Sequence, residues 1–292
     1  VSQRFVTALA EVGLTDLTEN ELELLANHNI SPSYAKQMFE SGVEPLTVDD
    51  LVHFRIHNVR PRAVREFQAH GLTDLSVDDL GQLAMHNVSP KYFRDMQQFS
   101  ETPLDVQELI QLRIHNVRPK VVQELQALGL AKLDVDEIVE LAIHNVRPQM
   151  LRQLHELGLD DLNTEQVVEL AIHNVKPRLI HEVRELGLDE LSIDDIIQFG
   201  IHNVSPRFIR AVRDLGFETL DADTLIEMAI HGASPNFIKE LQTLDLPNLT
   251  LDNIIEMATH GVSRRFARAV FEAGLKNLTA TDLIDLRIHD VN

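Results

Sequence analysis

The chain has no cysteine and no tryptophan in 292 residues. The first absence excludes a disulfide framework, a thiolate zinc site and a cysteine nucleophile. The second, with Tyr34 and Tyr92 as the only tyrosines, leaves few rings on which nucleotide bases could stack. Positive charge is also scarce: 26 Lys and Arg face 46 Asp and Glu, a net charge of −20. Such a chain repels nucleic acid as a whole unless its cations gather on one face. No apolar run approaches the ~18 residues of a membrane-spanning helix. Enzyme signatures are missing as well. There is no glycine-rich phosphate loop, no G-x-S-x-G and no EF-hand run, and His155-Glu156 and His181-Glu182 lack the second histidine of H-E-x-x-H. What remains, 44% hydrophobic and 25% charged residues, is the composition of an ordinary folded protein.

The dominant feature is an internal repeat. His28, His57, His86, His115, His144, His173, His202, His231, His260 and His289 follow one another at one constant interval, without insertion or deletion. Ten of the 14 histidines stand on this comb. Ten equal units fill residues 1–292, which leaves no room for a separate domain or linker.

The unit opening at Pro119 stands for the rest. Proline presets φ at a first helical position, and Val121, Val122, Leu125 and Leu128 follow at helical spacing. Gly129 then stops the helix in a left-handed turn, and glycine holds that place in every unit except at Ser100 and Asp245. A second helix begins at Asp134, an N-cap with Glu137 three places on, and Leu133 and Ile138 sit where a hydrophobic staple would close. The cap column reads Thr18, Thr47, Ser76, Asp105, Asp134, Asn163, Ser192, Asp221, Thr250, Thr279, all good N-cap types. Ile138, Val139, Leu141, Ala142 and Ile143 are expected to supply the buried face. The residue after each comb histidine is Asn, Gly or, once, Asp290, types that accept positive φ. Two helices of about 10 residues cannot bury an apolar face alone. The expected fold is therefore all-α: a superhelical α-solenoid of ten two-helix repeats forming one domain.

The unit's consensus, G/N-V-x-P at the junction, L-x-x-L-G at the first turn and I-H at the end, resembles a short helical repeat of bacterial proteins. Val204-Ser-Pro-Arg-Phe-Ile-Arg and Leu283-Ile-Asp-Leu-Arg-Ile-His289 carry the resemblance, which spans all ten units. Repeats of that kind accompany BlaR-like membrane metallopeptidases and regulators and also form free-standing arrays. The resemblance implies an α-solenoid and names no reaction.

The histidine comb invites a metal or proton ladder. Neighbouring imidazoles would lie on the order of 10 Å apart, the packing distance of helices, whereas one ion needs ligands at ~2 Å. The comb is read instead as structural, each imidazole meeting the negative end of a helix dipole and tying to the next unit's backbone. Carboxylates such as Asp49, Asp78, Asp136 and Asp194 crowd the first turn of the second helices, where the dipole favours them. Because they recur in nearly every unit, they read as capping and solubility devices, with an acidic ligand surface as the lesser alternative. No metal or other cofactor is expected.

The cations are arranged less simply. Arg62, Lys91, Lys120, Arg178, Arg207 and Arg265 follow the junction proline or its replacement, and Arg65, Arg94, Arg152, Arg210, Lys239 and Arg268 stand three places later. Residues at i and i+3 share a helix face, so stacked units would align these twelve as a stripe at the first-helix N-termini. Cations there oppose the helix dipole. Two explanations stay open: pairing with acids such as Glu66 and Glu124, or an anionic partner. In the column two places before each histidine, small residues such as Ala142 and Gly200 suit close helix approach, while Arg55, Arg113 and Arg287 interrupt it and are expected to reach the surface.

The repeat breaks locally where Arg264 replaces a junction proline and where Ser100-Glu-Thr-Pro103 and Leu244-Asp-Leu-Pro247 replace the glycine turn. Neither end carries a dedicated polar capping repeat, which suggests a piece of a longer chain or a self-capping array. The expected role is non-catalytic: a scaffold that presents an extended surface to a protein or peptide. Binding of an anionic ligand or nucleic acid through the Lys/Arg stripe is the alternative, set back by the net charge. Composition does not decide the compartment, with cytoplasm placed ahead of periplasm.

Overall fold

The computed structural model describes the chain apart from Val1, Glu44, Pro45, Asp245 and residues 290–292. Among the described residues it contains twenty α-helices and no strand. They alternate as first and second helices of successive repeats. In chain order they are α1 (Gln3–Ala10), α2 (Glu19–Asn27), α3 (Pro32–Phe39), α4 (Val48–Ile56), α5 (Pro61–Ala69), α6 (Val77–Met85), α7 (Pro90–Gln97), α8 (Val106–Ile114), α9 (Pro119–Ala127), α10 (Val135–Ile143) and α11 (Pro148–Glu156). They continue with α12 (Thr164–Ile172), α13 (Pro177–Arg184), α14 (Ile193–Ile201), α15 (Pro206–Arg213), α16 (Ala222–His231), α17 (Pro235–Gln242), α18 (Leu251–Thr259), α19 (Arg264–Glu272) and α20 (Ala280–Ile288).

The chain forms two compact units, Val1–Pro148 and Gln149–Asn292. Each is an α-solenoid. In the first, α2, α4, α6, α8 and α10 pack side by side in order, and α1, α3, α5, α7 and α9 do the same. In the second, α12 to α20 repeat the even series and α13 to α19 the odd. Each helix of these series therefore meets its counterpart one repeat away, so equivalent residues run in columns along a unit.

Backbone chemistry sets the element boundaries. Every residue of the cap column accepts a hydrogen bond from the backbone of its own second helix. Nine of the ten complete a capping box. Asp221 is the exception, because Thr224 stands where the others have Glu, Asp, Gln or Asn. At the other end, the seven asparagines after the comb histidines lie at φ between 53° and 57°. The next residue then bonds back into the last helical turn, as Val59 N does to Phe54 O at 2.8 Å, and Asn58 N reaches Arg55 O at 3.2 Å. That pair is a Schellman closure. Asp290 and Asp245 lie outside the described residues. The glycine turn also forms, with Gly129 at φ 103°. Where Ser100 stands instead, Gln97 stitches the turn, donating to Thr102 O at 2.9 Å and accepting from Leu104 N at 2.8 Å.

The first helices hold a feature the sequence reading passed over. Ser31, Ser89, Ser205, Ser234 and Ser263 cap them, whereas Arg60, Arg118 and Lys176 in the same column make no side-chain cap bond.

Packing supplies what helices of 8 to 10 residues lack by themselves. In the first unit Leu25, Leu51, Phe54, Leu109 and Leu112 are fully enclosed. In the second, one cluster joins Leu154, Leu170, Val175, Ile180 and Ile196, and another joins Leu225, Met228, Ile238, Met257 and Leu283. Each such side chain contributes about 1.5–3 kcal/mol by leaving water. Side chains also tie successive first helices together: Arg184 donates to Leu157 O, and Gln242 Nε2 to Leu215 O at 2.8 Å.

One expected core residue is not in the core. Ile143 is 54% exposed, while Ile138, Val139 and Leu141 are buried. Ile143 lies two residues beyond Leu141, and residues at i and i+2 do not share a helix face.

Candidate functional site

All twelve stripe cations are exposed on the first helices, at the second and fifth positions of α5, α7, α9, α11, α13, α15, α17 and α19. Arg62 Nε donates to Glu66 Oε1 at 2.7 Å, and Arg178 Nε to Glu182 Oε1 at 2.6 Å. Lys120 Nζ lies 4.0 Å from Glu124 Oε1, and Lys91 pairs with Asp95. All four are i,i+4 pairs along one helix. Arg94 Nε comes within 3.8 Å of Asp95 Oδ1. Arg268 reaches back one repeat instead, its Nε and Nη2 donating to Glu240 Oε1 at 2.9 and 2.5 Å. The hydrogen bond from Arg178 holds the Glu182 carboxyl below its usual range, and the charge of Arg210 in the next repeat adds to this. Arg65, Arg207, Lys239 and Arg265 carry no ion pair among the described residues. The acid that recurs five places after the proline thus serves a cation four places earlier, or one in the next repeat.

The comb histidines sit at the ends of the second helices, nine of them as the C-cap residue and His231 as the last residue of α16. His28 to His202 are half-buried, and His231, His260 and His289 are exposed. The tie expected from each imidazole to the next repeat's backbone is absent among the described residues. His202 Nε2 instead lies 3.1 Å from Gln198 Oε1 of its own helix, and His57 packs on His53 with ring centroids 4.5 Å apart. No group of three His, Asp or Glu side chains that could hold a metal gathers among the described residues. No helix among them is long and apolar enough to cross a membrane.

Arg55 and Arg287 are exposed and Arg113 is half-buried, and each covers an aromatic ring on the first helix of its own repeat. Their guanidinium carbons lie 5.7, 5.0 and 5.4 Å from the ring centroids of Tyr34, Tyr92 and Phe266. The two tyrosines are turned inward. Tyr34 donates to Val59 O at 2.9 Å and Tyr92 to Val117 O at 3.0 Å, so neither offers a free face for a base.

Where the same two columns hold small residues, a groove opens. One of about 430 Å³ is lined by Ala63 and Ala84, with Arg60, His57 and Asn87 at its polar edge. Its counterpart two repeats on, about 480 Å³, is lined by Val121 and Ala142, with Arg118, His115 and Asn145. In the repeat between them these two columns hold Tyr92 and Arg113.

The most regular surface feature is the column just before the comb histidine. Ile56, Met85, Ile114 and Ile143 in the first unit are 59, 45, 58 and 54% exposed. In the second, Ile172, Ile201, Ile230 and Ile288 are 48, 38, 51 and 55% exposed. Consecutive second helices pack together within each unit, so these side chains form an aliphatic row, interrupted in the second unit by Thr259 of α18. A helical wheel could have found it, since every member but Ile288 stands two residues past a buried Leu, Phe or Met.

No protein-family model matches the chain, and no curated protein matches it.

Proposed function

We propose that the chain is a non-catalytic scaffold that presents an extended repeated surface to a protein or peptide. The observation that carries this reading is recurrence. The capping boxes, the ion pairs, the histidine ends and the exposed aliphatic row all return from repeat to repeat, whereas a catalytic centre requires a constellation found in one place. A repeated surface spreads affinity over several repeats, as solenoids do.

The alternative, an anion or nucleic-acid binder, rests on the first-helix cations. What favours a protein partner is that Arg62, Lys91, Lys120, Arg178 and Arg268 already pair with carboxylates. Phosphate binding would have to break those pairs. Tyr34 and Tyr92 are committed to backbone carbonyls. The kinship with the short repeats that accompany BlaR-like metallopeptidases and regulators belongs to the same proposal, with this array as the recognising part of such a system.

The test is affinity capture on the immobilised full chain, followed by hydrogen-exchange footprinting with the captured protein. Protection across two or more repeats on one face is the expected result. Recovery of nucleic acid whose binding falls steeply with salt, or turnover of a substrate by the purified chain, would overturn the reading.

A further inference from the structure

The second helices of the Gln149–Asn292 unit combine two properties. On α12, α14 and α16 the aliphatic row presents Ile172, Ile201 and Ile230 to solvent. The same three helices and α18 contain eight carboxylates and not one lysine or arginine. Glu169 and Glu227 stand three residues before Ile172 and Ile230, hence on the same face, and Glu165, Asp194 and Asp223 lie exposed one further turn back. Apolar row and acidic flank are therefore one surface. The first helices of this unit are its opposite in charge: Arg178, Arg207, Arg210, Lys239, Arg265 and Arg268 are all there.

Folding accounts for only part of each property: the first-turn acids serve the helix N-termini, whereas Glu169 and Glu227 stand further along their helices. These isoleucines leave 38 to 51% of their surface in water, and carboxylates set in a row repel one another. An apolar row rimmed by one sign of charge fits an interaction surface.

We propose that this face binds a cationic amphipathic helix, one whose aliphatic residues lie on the isoleucine row and whose lysines or arginines meet the flanking carboxylates. The spacing supports a helix as the occupant. Packed helices stand about 8–10 Å apart, so the row offers an isoleucine at about that interval, and seven residues of a docked helix advance about 10.5 Å while returning to the same face. In a β-strand the side chain reached over that interval, three places on, points to the opposite face. The charge complementarity supports a cationic occupant. The inference rests on the scaffold reading and adds to it a face and a partner chemistry.

The test uses the full chain and a labelled helical peptide with leucine at every seventh position and lysine on the flanking positions. A glutamate twin serves as control, and fluorescence anisotropy is the readout. The lysine peptide should bind, weaken with added salt, and lose affinity roughly tenfold or more in the triple variant Ile172→Ser, Ile201→Ser, Ile230→Ser. The glutamate twin should not bind. All three sites are exposed, and an unchanged thermal melt confirms that the variant folds. Absence of lysine-peptide binding, equal binding of the twin, or unaltered affinity in the variant would each overturn the proposal. Self-association of the chain that the triple variant abolishes would also overturn it, by making a second copy the occupant. A captured partner whose footprint falls on the first helices would overturn this face and leave the scaffold reading standing.

Discussion

Arg113 lies over the ring of Tyr92 and donates from Nε to Asn87 O at 3.1 Å, while the tyrosine hydroxyl donates to Val117 O. The pair thus joins the turn before its repeat to the turn after it, through one stacked contact. Tyr92→Phe should lower stability by about 1 kcal/mol through the lost hydrogen bond, and Arg113→Ala by about 0.5–1 kcal/mol. Because phenylalanine keeps the ring that Arg113 covers, the two substitutions remove separate interactions, and the double variant should lose nearly the two single effects combined. Urea denaturation midpoints measure all three.

The same tyrosines should make the chain sensitive to alkali. Burial raises both the Tyr34 and the Tyr92 hydroxyl to about 12, against an ordinary value of 10.0. A hydroxyl whose pKa is higher folded than unfolded contributes stability that is complete below the unfolded value and lost as pH rises through the folded one. Stability should therefore fall between about pH 10 and pH 12. In Tyr34→Phe/Tyr92→Phe that fall should shrink, with the phenolate absorbance no longer rising late in the titration.

Gly200 should resist even the smallest side chain. A Cβ there would stand 2.3 Å from Val175 Cγ2 and 3.2 Å from His173 O. Alanine favours a helix over glycine by about 1 kcal/mol, yet overpacking costs about 1–3 kcal/mol, so Gly200→Ala should destabilise. Val175→Ala, which removes the nearer atom, should recover part of the loss. Gly81→Ala should cost less, because the atom 2.3 Å from the new carbon, His53 Nε2, is the far end of a side chain that can turn aside. Thermal melting of these variants beside the parent chain decides.

The asparagine turns carry a different expectation. Asn145 adopts φ 55°, where glycine is at ease and a β-branched residue is not. Asn145→Gly should leave the melting temperature nearly unchanged. Asn145→Val should cost about 1–2 kcal/mol. Asp134→Ala, at the cap of the same helix, should cost about 1 kcal/mol.

These contrasts trace what the amino-acid sequence shows by itself. The caps at Asp134 and Asn145 are legible because their bonds close within a few residues of the same chain segment. The pairing of Arg62 with Glu66 was open to inspection for the same reason. Ile143 was misread because apolar identity was taken for burial without asking which way the helix turned it. The Arg113–Tyr92 stack joins two different helices, and the closeness of Val175 to Gly200 depends on how successive repeats lean together. Neither distance is written in any local pattern. The acids of the face that we assign to a cationic helix were read first as helix N-terminal devices and only second as a ligand surface, because the local role was sufficient.

Because a hairpin that ends in a Schellman turn is satisfied by its own backbone, the exit direction of the chain is reset at each such turn, whatever side chains decorate the faces. Such a fold is modular in the manufacturing sense. A whole cassette, from one junction proline to the next, thus carries its own turn, while bonds such as Gln242 to Leu215 and Arg268 to Glu240 still tie it to the cassette before it. The decorations, the isoleucines, acids and tyrosine plugs, are then free to diversify at leisure, cassette by cassette.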